Sequence, residues 1–206
     1  MINIHKSTYF FSFYSQMSAM KKFRLISNYE KSIIINSILE VSPNINSIFE
    51  ERQYSFYSLF DSQKGTYTIY IVNSNQFYIK NFKELYPKIR EIGLYFGYIN
   101  KEIFYLSLEG AEYLYKNHYF IEEKFIQVNK NGEKSVLYGN DILKEMVKEL
   151  SPILHKKDIL VIINELDEVL AIGYSNIKSN QISQLKPKDV VAMNLRDKGY
   201  YLRVKQ

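Results

Sequence analysis

The stretch Ser135-Val-Leu-Tyr-Gly-Asn-Asp-Ile-Leu-Lys144, SVLYGNDILK, decides how the second half of this chain folds. It sets an aromatic and a glycine directly in front of an amphipathic run. From Asn140 to Leu150, the residues Ile142, Leu143, Met146, Val147 and Leu150 fall on one helical stripe, with Lys144, Glu145, Lys148 and Glu149 on the other faces. The spacing predicts a helix over Asn140–Leu150, entered from a segment at Ser135–Tyr138. The N-terminus of that helix would offer free N–H groups to a phosphate, and Gly139 would allow a backbone to come close. Lys144 and Lys148 would share an exposed face. A tyrosine packed on the fold and a glycine that only turns the chain fit the same letters. Asp141 argues mildly against a phosphate there, because its carboxylate can cap the same donors.

Working outward, Lys124–Val128 reads as a strand and Asn129–Gly132 as a turn. Four β segments close the chain: Asp158–Ile163, Val169–Tyr174, Asp189–Leu195 and Tyr200–Val204. Short strands, tight turns and one helix over this length predict a small, partly closed β-barrel. The first half has another style. Residues 28–51 read as helix interrupted at Pro43, after a cap-like Ser27/Asn28. Strands follow at Tyr54–Phe60, Thr66–Val72 and Gln76–Lys80, then a helix over 81–91, a hairpin of Ile92–Ile99 and Ile103–Leu106 around Asn100-Lys101, and a helix at Leu108–Lys116. The fold class expected is α+β, an N-terminal antiparallel sheet with helices followed by the small barrel. The expected organisation is a leader over 1–19, an α/β domain over 20–120 and the barrel domain over 121–206. The leader has no helical period and a poor signal-peptide shape, and the character of the chain changes at Met20. Met20 or Met17 is therefore the expected biological start.

Composition narrows the function. The 206 residues are 46% apolar and carry a net charge of +5, with a pI near 9.0. Positive charge is concentrated late: residues 171–206 hold seven cations against two carboxylates, whereas residues 121–170 hold seven against ten. A polyanion site wants that distribution. Apolar runs such as Ile159–Ile163 are far too short to span a bilayer. The absence of cysteine removes thiol nucleophiles and Cys-based zinc sites and fits an intracellular protein. No Walker or Gly-rich phosphate loop is present. His5, His118 and His155 lie far apart, with no His or Glu partner at ligand spacing. The acids of Asn164-Glu-Leu-Asp-Glu168 read as a solvated hairpin tip rather than a catalytic pair. Nothing here asks for catalysis, a metal or a cofactor.

Several segments together resemble a PUA domain, the RNA-binding barrel of pseudouridine synthases and archaeosine transglycosylases. They are Leu137-Tyr-Gly-Asn-Asp-Ile-Leu143, Lys157-Asp-Ile-Leu-Val161, Glu168-Val-Leu-Ala-Ile-Gly173, and Lys188-Asp-Val-Val191 leading to Gly199-Tyr-Tyr-Leu-Arg203. Ile92-Gly-Leu-Tyr-Phe-Gly97, Leu106–Leu114, Val136-Leu-Tyr-Gly-Asn140 and Met20-Lys-Lys-Phe-Arg-Leu-Ile resemble the Nip-seven family of ribosome biogenesis factors. The resemblance implies a non-catalytic archaeal, cytoplasmic protein that binds uridine-rich single-stranded RNA, such as an rRNA precursor, and meets other assembly proteins. It puts the RNA on one basic PUA face. The residues expected to carry it are Tyr138, Gly139, Asn140, Lys144, Lys148, Tyr174, Lys178, Lys186, Lys188, Arg203 and Lys205. The segment Tyr174–Gln184 departs from the pattern, with Lys178 as its one cation, and Lys186 and Lys188 follow as substitutes. A protein adaptor with incidental RNA affinity is the competing expectation.

Overall fold

A computed structural model describes residues 23–39, 41–74, 91–119 and 124–203. The leader, the strand expected at Gln76–Lys80, all but the last residue of the helix expected over 81–91, and Lys205 lie outside the described residues.

The first half is a five-stranded antiparallel sheet in the order β1-β2-β3-β4-β5, formed by Arg24–Leu25, Tyr54–Asp61, Thr66–Asn73, Leu94–Asn100 and Ile103–Leu106. β1 is a short strand that the sequence did not announce. It pairs Leu25 with Tyr57 and carries the chain into helix α1, Asn28–Ile38. α1 begins in a reciprocal cap: Ser27 Oγ accepts from the Glu30 N–H, and Glu30 accepts from the Ser27 N–H. The helix stops before Pro43, and a second helix, α2, resumes at Ile45–Glu50. The β4–β5 turn takes positive φ at Lys101 and Glu102, the twist that a two-residue hairpin favours. α3, Leu108–Lys116, is capped by Ser107 and lies along β4.

The second half is a six-stranded sheet in the order β7-β11-β10-β9-β6-β8. The strands are β6 Phe125–Val128, β7 Ile142–Leu143, β8 Val147–Leu150, β9 Ile159–Ile163, β10 Val169–Ser175 and β11 Val190–Asp197. The two edge strands, β7 and β8, are joined directly through a 3-10 turn at Lys144–Met146, so the sheet curls into a nearly closed barrel. β6 and β9 run parallel, and helix α4, Lys130–Leu137, connects β6 to β7. Ile126, Val136, Leu160, Ile162, Val191 and Ala192 fill the barrel interior.

Here the decisive stretch reads differently from expectation. Ser135–Leu137 ends a helix, and Asn140–Leu150 is not one. The supposed turn at Asn129–Gly132 starts the helix: Asn129 Oδ1 accepts from the N–H groups of Asn131 and Gly132. Gly132 packs so tightly that an added Cβ would sit 2.8 Å from Met146 Cβ. At the other end Gly139 takes φ 86, its N–H bonds Val136 O at 2.8 Å, and the Asn140 N–H bonds Ser135 O at 3.1 Å. That is a Schellman stop. The apolar stripe of 142–150 is buried instead by wrapping two short strands around the barrel edge. The last expected strand is also a helix, α5, Tyr200–Arg203.

One apolar core joins the two sheets. Ile33, Ile69, Phe96 and Leu108 belong to the same buried cluster as Val161, Ile163, Val169 and Ile172 on the outer face of the barrel. Polar contacts surround that seam. Lys198 bonds Glu112 at 3.1 Å, and the Tyr115 hydroxyl donates to Asp167 at 2.9 Å. Burial pushes the Tyr95 phenol up, while its hydrogen bond with Arg196 of β11 works the other way; the net shift is upward.

Candidate nucleic-acid interface

Eight of the eleven residues expected at the RNA surface fall into two groups at opposite ends of β11. Its eight residues span roughly 23 Å at about 3.3 Å per step.

At the Asp197 end stand Tyr138, Gly139, Asn140 and Arg203. Asn194 holds this loop, donating its backbone N–H to Asp141 at 2.9 Å and its side-chain amide to Val136 O and Asn140 O. Asp141 therefore caps a strand, not a helix. Tyr138 is the C-cap of α4 and is 75% exposed, an unpacked ring. Arg203 is committed: its guanidinium chelates Asp197 at 2.9 and 2.8 Å and also donates to Leu137 O. A groove of about 790 Å³ opens here, lined in part by Lys134, Leu137, Tyr138, Lys198 and Arg203. Glu133 and Glu168 line it too. The hairpin tip beside it is acidic, built on Asn164, whose Oδ1 accepts from the Leu166 and Glu168 N–H groups. Cations at this end thus face an equal or larger number of carboxylates.

At the Val190 end the balance reverses. β9 starts, β10 ends, β11 starts and β7 ends at this level of the sheet. The Lys144 N–H bonds Asp189 O at 2.9 Å and the Glu145 N–H bonds Pro187 O at 3.0 Å, which draws Lys144 to the segment carrying Lys186 and Lys188. Lys178 precedes a 3-10 turn, Ser179–Gln184, that is pinned by the Ser179 N–H on Leu154 O. Lys178, Lys186 and Lys188 are exposed and Lys144 is half-buried. Among the described residues none of the four forms an ion pair. Asp189 is occupied by the Lys186 N–H at 2.8 Å.

Two expected members lie elsewhere. Lys148 sits on β8, not beside Lys144 on a helix, and pairs with Glu165 at 3.3 Å. Tyr174 faces outward on β10, 38% exposed and opposite Met193 of β11. Lys134 and Lys198 also line the groove beside Tyr138, Lys134 from α4 and Lys198 from just past the end of β11, where its N–H bonds Leu170 O at 2.9 Å. Neither was among the residues expected from the sequence, where the segment of Lys134 reads as no helix.

Comparison with known proteins agrees with this architecture. Residues 124–206 match the family model described as UPF0113 PUA domain. A UPF0113 protein of Archaeoglobus fulgidus is 36% identical over 116 residues, covering 56% of this chain and 59% of that protein. The 60S ribosome subunit biogenesis protein nip7 of Schizosaccharomyces pombe is 29% identical over 116 residues, 56% of this chain and 62% of that protein. The chain thus spans about 60% of the length of these two relatives. A conserved PUA domain protein from Thermoplasma acidophilum superposes with a TM-score of 0.58 over 89% of this chain and 99% of its own, at 14% identity. A PUA domain protein from Aeropyrum pernix gives 0.57 over 88% of both chains, at 13% identity. These two likenesses are of fold. Residues 124–206 are thus similar to the UPF0113 PUA domain family, and the chain is similar to an archaeal UPF0113 protein and to the yeast Nip7 ribosome biogenesis proteins.

Proposed function

We propose that this protein is a non-catalytic RNA-binding factor of ribosome biogenesis. It acts in the cytoplasm on single-stranded, uridine-rich segments of precursor rRNA. The observation that carries the reading is the set of lysines without an ion pair among the described residues, Lys144, Lys178, Lys186 and Lys188, on segments that meet at the Val190 end of the barrel. Each is free to neutralise a phosphate without first breaking an ion pair, and counterion release then supplies affinity. Exposed rings supply the second ingredient of single-strand binding, a sequence-tolerant stacking surface. Tyr174 is on the outward barrel face and Tyr138 at the far end of β11. The kinship with ribosome biogenesis proteins supports the cellular setting.

Electrophoretic mobility shift of the full chain with uridine-rich and adenine-rich oligoribonucleotides tests the reading. It requires a complex that weakens with salt at a log–log slope of about −0.7 per phosphate neutralised. A flat salt response, or no complex, refutes it.

A second reading, docking of another assembly protein, has one observation in its favour. Val190, Met193 and Leu195 on β11 and Tyr174 on β10 are large apolar side chains left exposed. Loss of the lysines would spare such docking, which separates the two readings.

A further inference from the structure

The lysine cluster continues beyond the residues that the sequence singled out. The turn between β8 and β9 carries Lys156 and Lys157, both exposed. Three backbone hydrogen bonds fix this turn against the end of β10 and the loop that follows. The Lys157 N–H bonds Ser175 O at 2.7 Å, the Ser175 N–H bonds Asp158 O at 2.9 Å, and the Ser179 N–H bonds Leu154 O at 3.0 Å. The Ser179 hydroxyl ties the same two loops through Ser151 O at 2.9 Å. Lys178 lies between Ser175 and Ser179, so the turn is its direct neighbour. Lys157 holds φ 74, a left-handed position that costs free energy for a lysine and is kept here by those bonds.

Two acids in this neighbourhood are already engaged. Asp158 pairs with Lys124 at 2.9 Å and accepts from the His155 N–H at 2.8 Å, with His155 Nδ1 3.8 Å away. Asp189 accepts from the Lys186 N–H, and Glu145 is exposed beside Pro187. Neither Lys156 nor Lys157 forms an ion pair among the described residues.

We infer that Lys156 and Lys157 extend the RNA path: the phosphate backbone of a single strand crosses from the Lys186–Lys188 segment over Lys178 onto the Lys156–Lys157 turn. This rests on the RNA reading above and adds a direction and two cations to it. The path leads away from the acidic hairpin tip, as a polyanion requires.

The test is a double variant of the full chain, Lys156→Gln with Lys157→Asn, asparagine being at ease at positive φ. Its salt series is measured by fluorescence anisotropy beside wild type, Lys186→Gln/Lys188→Gln, and Lys64→Gln in the distant β2–β3 turn. Thermal melts check that each is folded. The expected result is a weaker complex whose log–log salt slope is shallower by about 1.4, at about 0.7 for each phosphate no longer neutralised, with Lys64→Gln unchanged. A Lys156/Lys157 variant with wild-type affinity and slope, alongside a Lys186/Lys188 variant that loses both, overturns the extension and leaves the RNA reading standing. Wild type that fails to bind overturns both.

Discussion

Arg203 and Asp197 form a two-point ion pair, 2.9 and 2.8 Å, that closes the C-terminal helix over the stop of α4. Because the same guanidinium also reaches Leu137 O, this arginine is a latch between three elements. Asp197 is 3% exposed, so removing its partner strands a buried carboxylate. Arg203→Ala is expected to lower the melting temperature while leaving the salt slope of RNA binding at the wild-type value. Arg203→Lys is expected to recover little, since an ammonium cannot reproduce the planar fork. A thermally silent Arg203→Ala that loses RNA affinity would return the residue to the binding surface.

Gly139 gives a sharper check of the helix stop. Its φ of 86 lies in the left-handed region, and a Cβ there would sit 2.9 Å from Arg203 Nη2. Gly139→Ala is expected to cost about 1–2 kcal/mol by urea unfolding, from the left-handed penalty alone. A helix beginning at Asn140 would show no such cost, and an unchanged midpoint would contradict the Schellman assignment.

The shared core makes a statement about cooperativity. Ile172 on the barrel and Phe96 on the N-terminal sheet belong to one buried cluster. Thermal unfolding is therefore expected as one transition, coincident by near- and far-UV circular dichroism. Ile172→Ala should lower it as a whole by about 2–5 kcal/mol. Two resolved transitions, with only one responding to Ile172→Ala, would mean that the sheets fold independently.

Acid should loosen two defined points. For Glu30, burial opposes the charge, but the guanidinium of Arg24 and the Ser27 N–H and hydroxyl outweigh it, and the carboxyl titrates below its usual value. Glu112 has the same sign: burial raises it, while Lys116 and Lys198 lower it further. A depressed folded-state pKa stabilises fully above the unfolded value near 4.5, and that contribution disappears as pH falls through the depressed one. The urea midpoint is expected to drop below about pH 4.5, and Glu30→Gln/Glu112→Gln should show a shallower drop. An equal acid response in that variant would clear both groups.

Much of the fold was legible because two-residue alternation has few rivals. Alternation and flanking turn residues mark Thr66–Val72, the observed strand ending one residue later at Asn73. The expected Ile103–Leu106, Val169–Tyr174 and the helix Leu108–Lys116 also stand within a residue of the observed elements. The helix at Lys130–Leu137 was not. Its Asn-x-Asn-Gly start looks like a turn, because an N-cap asparagine and a turn asparagine use the same side-chain oxygen. Conversely, a run such as Ile142–Leu150 satisfies a helical period by accident when two short strands and a 3-10 turn wrap a barrel edge. The lysines were visible, but their grouping depended on which strand ends meet. That is why Lys144, Lys178, Lys186 and Lys188 came together while Lys148 and Arg203 proved to be held by Glu165 and Asp197. β1 was too short to signal itself.

The proposed RNA surface is the set of lysines at the Val190 end of the barrel that form no ion pair among the described residues. Fluorescence anisotropy of labelled uridine-rich RNA, across a salt series, compares wild type with Lys178→Ala/Lys186→Ala/Lys188→Ala and, separately, Tyr138→Ala. Wild type is expected to bind in a salt-sensitive way, and the triple variant to be weakened with a slope shallower by about 2, three phosphates at about 0.7 each. Tyr138→Ala is expected to show a smaller and salt-independent loss. A triple variant that binds as wild type does would exclude this surface and move the RNA elsewhere on the molecule.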